Sequence, residues 1–223
     1  MHCINCHEVF MQQTFWSNLF LPDKRNPVCD DCRNKLIFLT EPVCPKCCRP
    51  MDKPDLCLDC QSWGGNSDIL NKNISIFSYN QAIKDIINRW KYRGDYLLGK
   101  VFQYELARVF NQHYKNLEAV AIPIPLSKER MLERGFNQAE SLAGFLDIPM
   151  VHALTRIHSE KQSKKSRTER VTAQNPFRLT RSVISPVILV DDIYTTGTTI
   201  RHAASLLKEA GVKEVYALTL IRS

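Results

Sequence analysis

The densest chemistry in the chain lies in Val187-Ile-Leu-Val-Asp-Asp-Ile-Tyr-Thr-Thr-Gly-Thr-Thr-Ile200. Four aliphatic residues define a buried strand, and Asp191 and Asp192 stand where it ends. In open α/β sheets, ligands collect outside the carboxyl ends of the strands. Carboxylates placed there suit vicinal hydroxyls or a bound Mg2+. Thr195, Thr196, Thr198 and Thr199 then bring hydroxyls and backbone N–H groups to the start of the next helix. Unpaired donors and the helix dipole favour a phosphate at such a position, and Gly197 permits close approach of the backbone. Acids for a sugar beside donors for a phosphate describe a sugar-phosphate site. Capping alone accounts for one Asp and one Thr, not for two acids and four threonines around one glycine. No Walker A sequence and no G-x-G-x-x-G is present, which argues against an NTPase or a dinucleotide-binding domain.

Eight of the nine cysteines form four C-x-x-C pairs: Cys3/Cys6, Cys29/Cys32, Cys44/Cys47 and Cys57/Cys60. Two thiolates separated by two residues can reach one tetrahedral ion from a tight turn. Two pairs therefore complete a closed four-thiolate site, and four pairs imply about two structural Zn2+ ions. Chain order suggests Cys3, Cys6, Cys29 and Cys32 for one site and Cys44, Cys47, Cys57 and Cys60 for the other. Joining the first pair to the third is the alternative left open. Iron–sulfur clusters also accept four thiolates, but the spacing of ferredoxin runs is absent. A module of about 60 residues with so little apolar core needs metal to fold, and losing one pair of ligands is then expected to unfold that module alone. Cys48 is unpaired and reads as a bystander. His2 and His7 flank the first knuckle and could substitute as ligands, but with enough cysteines present they read as neighbours of the site or as exposed residues.

All the cysteines fall between Cys3 and Cys60, which divides the chain into a Cys-rich module over 1–62, a linker and first strand over 63–80, and an α/β domain over 81–223. With 223 residues and 44% hydrophobic content, the chain has room for one full core and a small module. Nine cysteines without an export signal point to metal chemistry rather than disulfides. Met1 to Phe10 carries polar residues and cysteines where a signal peptide would be apolar, and no apolar run reaches the roughly 18 to 20 residues of a membrane span. A soluble, cytoplasmic protein is expected. The net charge of +7 suggests polyanionic partners such as phosphates or nucleic acid.

The elements that must position the acids and threonines follow a βα pattern. Gln61 to Asn73, with Gly64, Gly65, Asn66 and Ser67, reads as a linker, and Ser75 to Tyr79 as a short strand. Gln81 to Tyr92 places Ala82, Ile83, Ile86, Ile87 and Trp90 at helical spacing, with Lys84, Arg89 and Lys91 expected in solvent. Tyr96 to Tyr114 predicts a second helix, Ala119 to Pro125 a buried strand, and Phe136 to Leu146 a helix. Val187 to Val190 then forms a strand, Thr198 to Glu209 a helix ended by Gly211, and Glu214 to Ile221 a strand. Strands alternating with helices predict a parallel sheet with crossover helices.

The segment from Val190 to Thr199 resembles the binding motif for phosphoribosyl diphosphate (PRPP) in type I phosphoribosyltransferases. The resemblance extends through Cys3-x-x-Cys6, Cys44-Pro-Lys-Cys47, Lys91-Tyr-Arg-Gly94, Pro123-Ile-Pro-Leu-Ser-Lys-Glu-Arg130, Glu133-Arg-Gly-Phe-Asn-Gln138 and Lys161-Gln-Ser-Lys-Lys165. These segments span nearly the whole chain and are similar to the ComF family of late-competence proteins, in its ComFC form. The resemblance implies a type I phosphoribosyltransferase-like parallel sheet joined to a small N-terminal zinc module. It also implies action with a competence DNA helicase or translocase during uptake of single-stranded DNA in natural transformation. Its PRPP site would comprise Asp191, Asp192, Thr195, Thr196, Gly197, Thr198 and Thr199, with Mg2+ accompanying the ligand. One departure is Cys48, which stands where the family pattern usually has Gly.

By the same resemblance, Leu126 to Gly135 is the diphosphate loop, with Lys128, Arg130 and Arg134 supplying positive charge; Glu129 and Glu133 dilute that charge, and an ordinary solvated helix entrance is the alternative. Lys161, Lys164, Lys165, Arg167, Arg170, Arg178 and Arg181 form a second basic run against the single acid Glu169. Its place before the Asp191 strand resembles the flexible hood of the transferases. Contact with DNA phosphates is the other use of such a run, and sequence does not choose between them. Phe177 is its only ring for stacking on bases, so a single-strand platform is not written there. No nucleobase-recognition hood is identifiable. The leading reading is a transformation protein with a PRPP-type ligand site, and a working phosphoribosyltransferase with an unidentified acceptor is the alternative, since one fold serves both.

Overall fold

Four aliphatic segments pair into one parallel sheet in the order β1-β6-β5-β2, with β1 at Lys72–Ser78, β2 at Val120–Pro123, β5 at Val187–Tyr194 and β6 at Val215–Arg222. The computed structural model describes residues 1–11, 27–64, 69–92, 94–157 and 175–223. All-parallel sheets need both faces covered, and here the cover differs by face. Alternate residues of β5, Ile188 and Val190, pack with α3 (Gln81–Tyr92) and α4 (Gln103–His113) through Ile83, Trp90, Leu106 and Phe110. Val187 and Leu189 point the other way and pack against Ile200, Ala203 and Leu207 of α7 (Thr198–Glu209).

Each cysteine group joins one of these faces. Cys3, Cys29 and Cys32 lie in the cluster with α3 and α4, while Cys44, Cys47, Cys57 and Cys60 lie with α7. The chain between them lines the sheet edge: Leu39 N donates to Ile76 O at 2.9 Å and Ser78 N to Ile37 O at 2.9 Å. A buried polar chain stitches the third knuckle to the same strand. Asn73 N donates to Lys46 O at 2.8 Å, and Ser75 Oγ lies 2.7 Å from Thr219 Oγ1. The three backbone bonds satisfy the outer edge of β1, whose open N–H and C=O groups would otherwise invite pairing with another chain.

Several expected boundaries move. β1 begins at Lys72, inside the expected linker, and α2 (Leu58–Ser62) holds the last cysteine. The helix expected over 96–114 is a 3-10 turn at Tyr96–Val101 followed by α4. The helix expected over 136–146 shortens to α6, Gln138–Ala143, because Asn137 caps it by accepting from Ala139 N. An antiparallel pair, β3 (Leu154–Arg156) and β4 (Phe177–Leu179), adds to the expected elements. Three-residue strands carry too little periodicity to read. Among the described residues, no helix is long and apolar enough to cross a membrane.

Candidate functional site

Asp191 and Asp192 lie within β5 rather than after it, since the strand runs on through Ile193 and Tyr194, and Thr195 to Gly197 form the turn into α7. Gly197 is the helix N-cap at φ +80°, and no side chain caps the helix from that position. Thr196 Oγ1 lies 2.8 Å from Thr198 Oγ1, closing the turn on itself. A Cβ on Gly197 would stand 2.1 Å from Tyr194 Oη and 2.5 Å from Tyr194 Cζ, so the turn fits glycine for two independent reasons.

The acids occupy different electrostatic settings. Asp192 is buried and forms an ion pair with Lys91 at the end of α3. Lys91 is therefore not the solvated residue expected from its helix; its side chain is 12% exposed and faces the site. Arg89 is half-buried rather than fully solvated, with Nη1 donating to Asn5 O at 2.9 Å. Burial first, and then the adjacent Asp192 carboxylate, push Asp191 up to about 8. The folded protein therefore keeps a proton on Asp191 that the unfolded chain releases in the ordinary carboxylate range. That proton contributes stability fully present below the ordinary range and lost as pH rises through about 8.

Replacing Lys91 by methionine is expected to cost about 3 kcal/mol, since removing one partner of a buried pair strands the other charge. Urea unfolding at pH 7 measures the loss. A deficit below about 0.5 kcal/mol, the size of an ordinary surface substitution, would mean the pair is not formed.

A further basic residue belongs to this neighbourhood. Arg156, at the end of β3, has its pKa drawn down by burial and then by Arg130, while Asp191 opposes both. Its guanidinium lies 5.5 Å from the Phe177 ring centroid. Nothing in spacing marks Arg156, because its strand is too short to be legible. Phe177 is correspondingly buried at 3% exposure, not a free stacking ring. The expected diphosphate loop is built mostly as helix α5, Lys128–Arg134, capped by Ser127, which accepts from Arg130 N. Lys128 and Arg130 are exposed on it, whereas Arg134 donates to Gln138 Oε1 at 2.8 Å and lies over Tyr92 at 5.4 Å. Lys161, Lys164, Lys165, Arg167 and Arg170 lie outside the described residues.

The cysteines gather in chain order, Cys3 with Cys6, Cys29 and Cys32, and Cys44 with Cys47, Cys57 and Cys60, each set of sulfurs within 4.8 Å of one another. This resolves the pairing left open by sequence. Cys6 and Cys29 sulfurs stand 3.7 Å apart and those of Cys47 and Cys57 3.5 Å apart. A tetrahedron with metal–sulfur bonds of about 2.3 Å has edges of roughly 3.8 Å, so both sets can hold a metal ion in a closed structural site. Amides support the sulfurs: Cys29 N donates to Cys3 Sγ at 3.4 Å and Cys57 N to Cys44 Sγ at 3.5 Å. Cys48 belongs to neither set and donates to Asn73 O at 3.2 Å. Its φ of +57° explains why glycine suits that position, and His7 takes the same left-handed conformation after the first knuckle.

Two arginines that sequence reasoning passes over join the second set to the turn. Arg201 Nη2 donates to Cys60 Sγ and Arg222 Nη2 to Cys47 Sγ, each at 3.6 Å. A hydrogen bond from Cys60, opposed by burial and aided by Arg222, holds the Cys47 thiol down at about 4.

An acid-tipped parallel strand leading through a Thr-Gly turn into a helix defines a phosphoribosyltransferase-type domain, and residues 131–223 match the family profile described as phosphoribosyl transferase domain. The chain belongs to the ComF family of competence proteins, in its ComFC form. It is 41% identical over 227 residues to competence protein ComFC of Bacillus subtilis (strain 168), covering 99% of this chain and 95% of that protein. It is 36% identical over 225 residues to competence protein ComFC of Streptococcus pneumoniae (strain ATCC BAA-255 / R6), covering both chains completely. It is also 24% identical over 197 residues to DNA utilization protein YhgH of Salmonella typhimurium (strain LT2), covering 81% of this chain and 84% of that protein.

Proposed function

We propose that this protein acts in natural transformation as a cytoplasmic partner of a competence DNA helicase, handling single-stranded DNA and binding PRPP with Mg2+ between Asp191 and Thr199. Its full-length relatives are competence proteins, which supports the role in competence. The observation that carries the ligand site is the juxtaposition of Asp191 and Asp192, in the C-terminal half of β5, with the glycine-capped start of α7. The carboxylates suit the ribose hydroxyls, the turn and helix N-terminus suit the 5-phosphate, and Arg130 and Arg156 offer positive charge for the diphosphate. Mg2+ would supply further neutralisation of the diphosphate when bound. The two cysteine sets would each hold a structural Zn2+.

Because Asp191 keeps a proton below about pH 8, binding of a Mg2+-chelated ligand there should expel it. Calorimetry at pH 7 in buffers of different ionisation enthalpy is expected to show close to one proton released per PRPP bound, and none at pH 9. Uptake of a proton at pH 7 would count against the carboxylates as ligand groups. For DNA, replacing Lys164, Lys165 and Arg167 by alanine is expected to flatten the salt dependence of single-strand binding, by about 0.7 in slope for each phosphate no longer neutralised. An unchanged slope would assign these residues to the ligand hood or to solvent.

A further inference from the structure

Three successive carbonyls of the turn are held from one side. Arg222 Nη1 donates to Tyr194 O at 3.1 Å and to Thr195 O at 2.7 Å, and its guanidinium lies 5.1 Å from the Tyr194 ring centroid. Trp63 Nε1 donates to Thr196 O at 3.2 Å, and Arg201 lies over the Trp63 ring at 5.4 Å. The other ends of both guanidinium groups reach thiols of the second cysteine set, Arg222 to Cys47 and Arg201 to Cys60. Both arginines are nearly inaccessible, at 3% and 5% exposure.

Two buried guanidinium groups need compensating charge. Four thiolates around one divalent ion leave about two negative charges, which match the two arginines. Because a trans peptide is planar, a carbonyl turned one way aims the next N–H the opposite way. Carbonyls of Tyr194, Thr195 and Thr196 drawn toward the cysteines therefore aim the amides of Thr195, Thr196 and Gly197 away from them, as an anion-binding turn requires. Among the described residues, the first cysteine set has no such connection to the turn. There Asn5 Nδ2 donates to Cys32 Sγ at 3.2 Å, and Arg89 reaches Asn5 on the α3 face.

We infer that the metal-loaded second cysteine set is a working part of the phosphate turn, with Arg201 and Arg222 as positioning residues that transmit its charge. This inference rests on the PRPP reading of the turn. Metal at Cys44, Cys47, Cys57 and Cys60 and PRPP at Asp191 to Thr199 then favour each other, and linkage makes the effect reciprocal. Metal at Cys3, Cys6, Cys29 and Cys32 is indifferent to PRPP.

Competitive metal removal from the intact protein tests this without any substitution. A chelator is titrated with and without saturating PRPP and Mg2+, and metal remaining on the protein is measured by elemental analysis. One of the two release steps should move to at least tenfold higher free chelator activity while the other stays in place. Two unshifted steps, with PRPP shown to bind by calorimetry, would overturn the coupling and leave the ligand site standing. If the parent does not bind PRPP at all, the ligand reading itself fails and the coupling with it. Substitution then identifies the transmitting residues. Arg222→Met should weaken PRPP by at least tenfold with metal content preserved in excess zinc, Arg222→Lys should recover part of the loss, and Arg89→Met should leave PRPP binding unchanged. Equal PRPP affinity in folded Arg222→Met and parent would overturn the assignment.

Discussion

Replacing Cys44 and Cys47 together by serine is expected to remove one metal ion and to abolish cooperative folding of the whole chain. Read from sequence, such a loss would unfold only a detachable N-terminal module. The packing changes that expectation. The four sulfurs of this set share a buried cluster with Val187 and Leu189 of β5 and Leu207 of α7, and two buried arginines depend on them for countercharge. A structural zinc contributes on the order of 10 kcal/mol to folding, comparable with the whole stability of a domain of this size. Circular dichroism across a urea series, with elemental analysis of the same sample, measures both outcomes. Retention of a sheet transition at the parent midpoint, with one ion missing, would show that the module and the sheet fold independently.

Gly197→Val is the substitution expected to damage ligand binding most. At φ +80° a valine pays the left-handed cost of about 1–2 kcal/mol. Its Cβ also meets the Tyr194 hydroxyl, a group already enclosed beneath Arg222. The added atoms point into the protein rather than toward a bound phosphate. Binding is lost because the turn must shift, not because the ligand is obstructed. A loss of at least a hundredfold in PRPP affinity is expected, together with destabilisation of roughly 3 kcal/mol. Calorimetry and urea unfolding measure the two effects. A folded variant that binds PRPP within a factor of three of the parent would show that the turn does not hold the phosphate.

Much of this architecture is legible because it is written in local signals. Val187 to Val190, two acids, a glycine flanked by threonines and the helical spacing of Ile200, Ala203, Ala204 and Leu207 locate β5, the turn and α7, and the C-x-x-C spacing locates both cysteine sets. What stays hidden depends on long-range contacts. Lys91 reads as a solvated charge on an amphipathic helix, and only the packing of α3 against β5 turns it toward Asp192. Arg201 sits at a helix position and Arg222 one residue from the chain end, with no pattern to mark either. Their partners lie 141 and 175 residues away in sequence. Arg156 escapes because β3 is three residues long. The segment from Lys128 to Arg134 is located by its charges and reads as a loop by resemblance, with a solvated helix entrance as the alternative; the helix capped by Ser127 is that alternative.

Asp191→Asn tests whether Asp191 to Thr199 holds a phosphoribosyl group, with little disturbance to the fold. Asparagine has the shape of the protonated acid that this half-buried position already favours, and Asp192 keeps its bond to Lys91. Titration calorimetry with PRPP and Mg2+ at pH 8.5, on the parent and on this variant, is the decisive measurement. One saturable site on the parent, weakened at least tenfold in a variant of undiminished thermal stability, is the expected result. No heat from the parent at millimolar PRPP, or equal affinity in both proteins, would contradict the account.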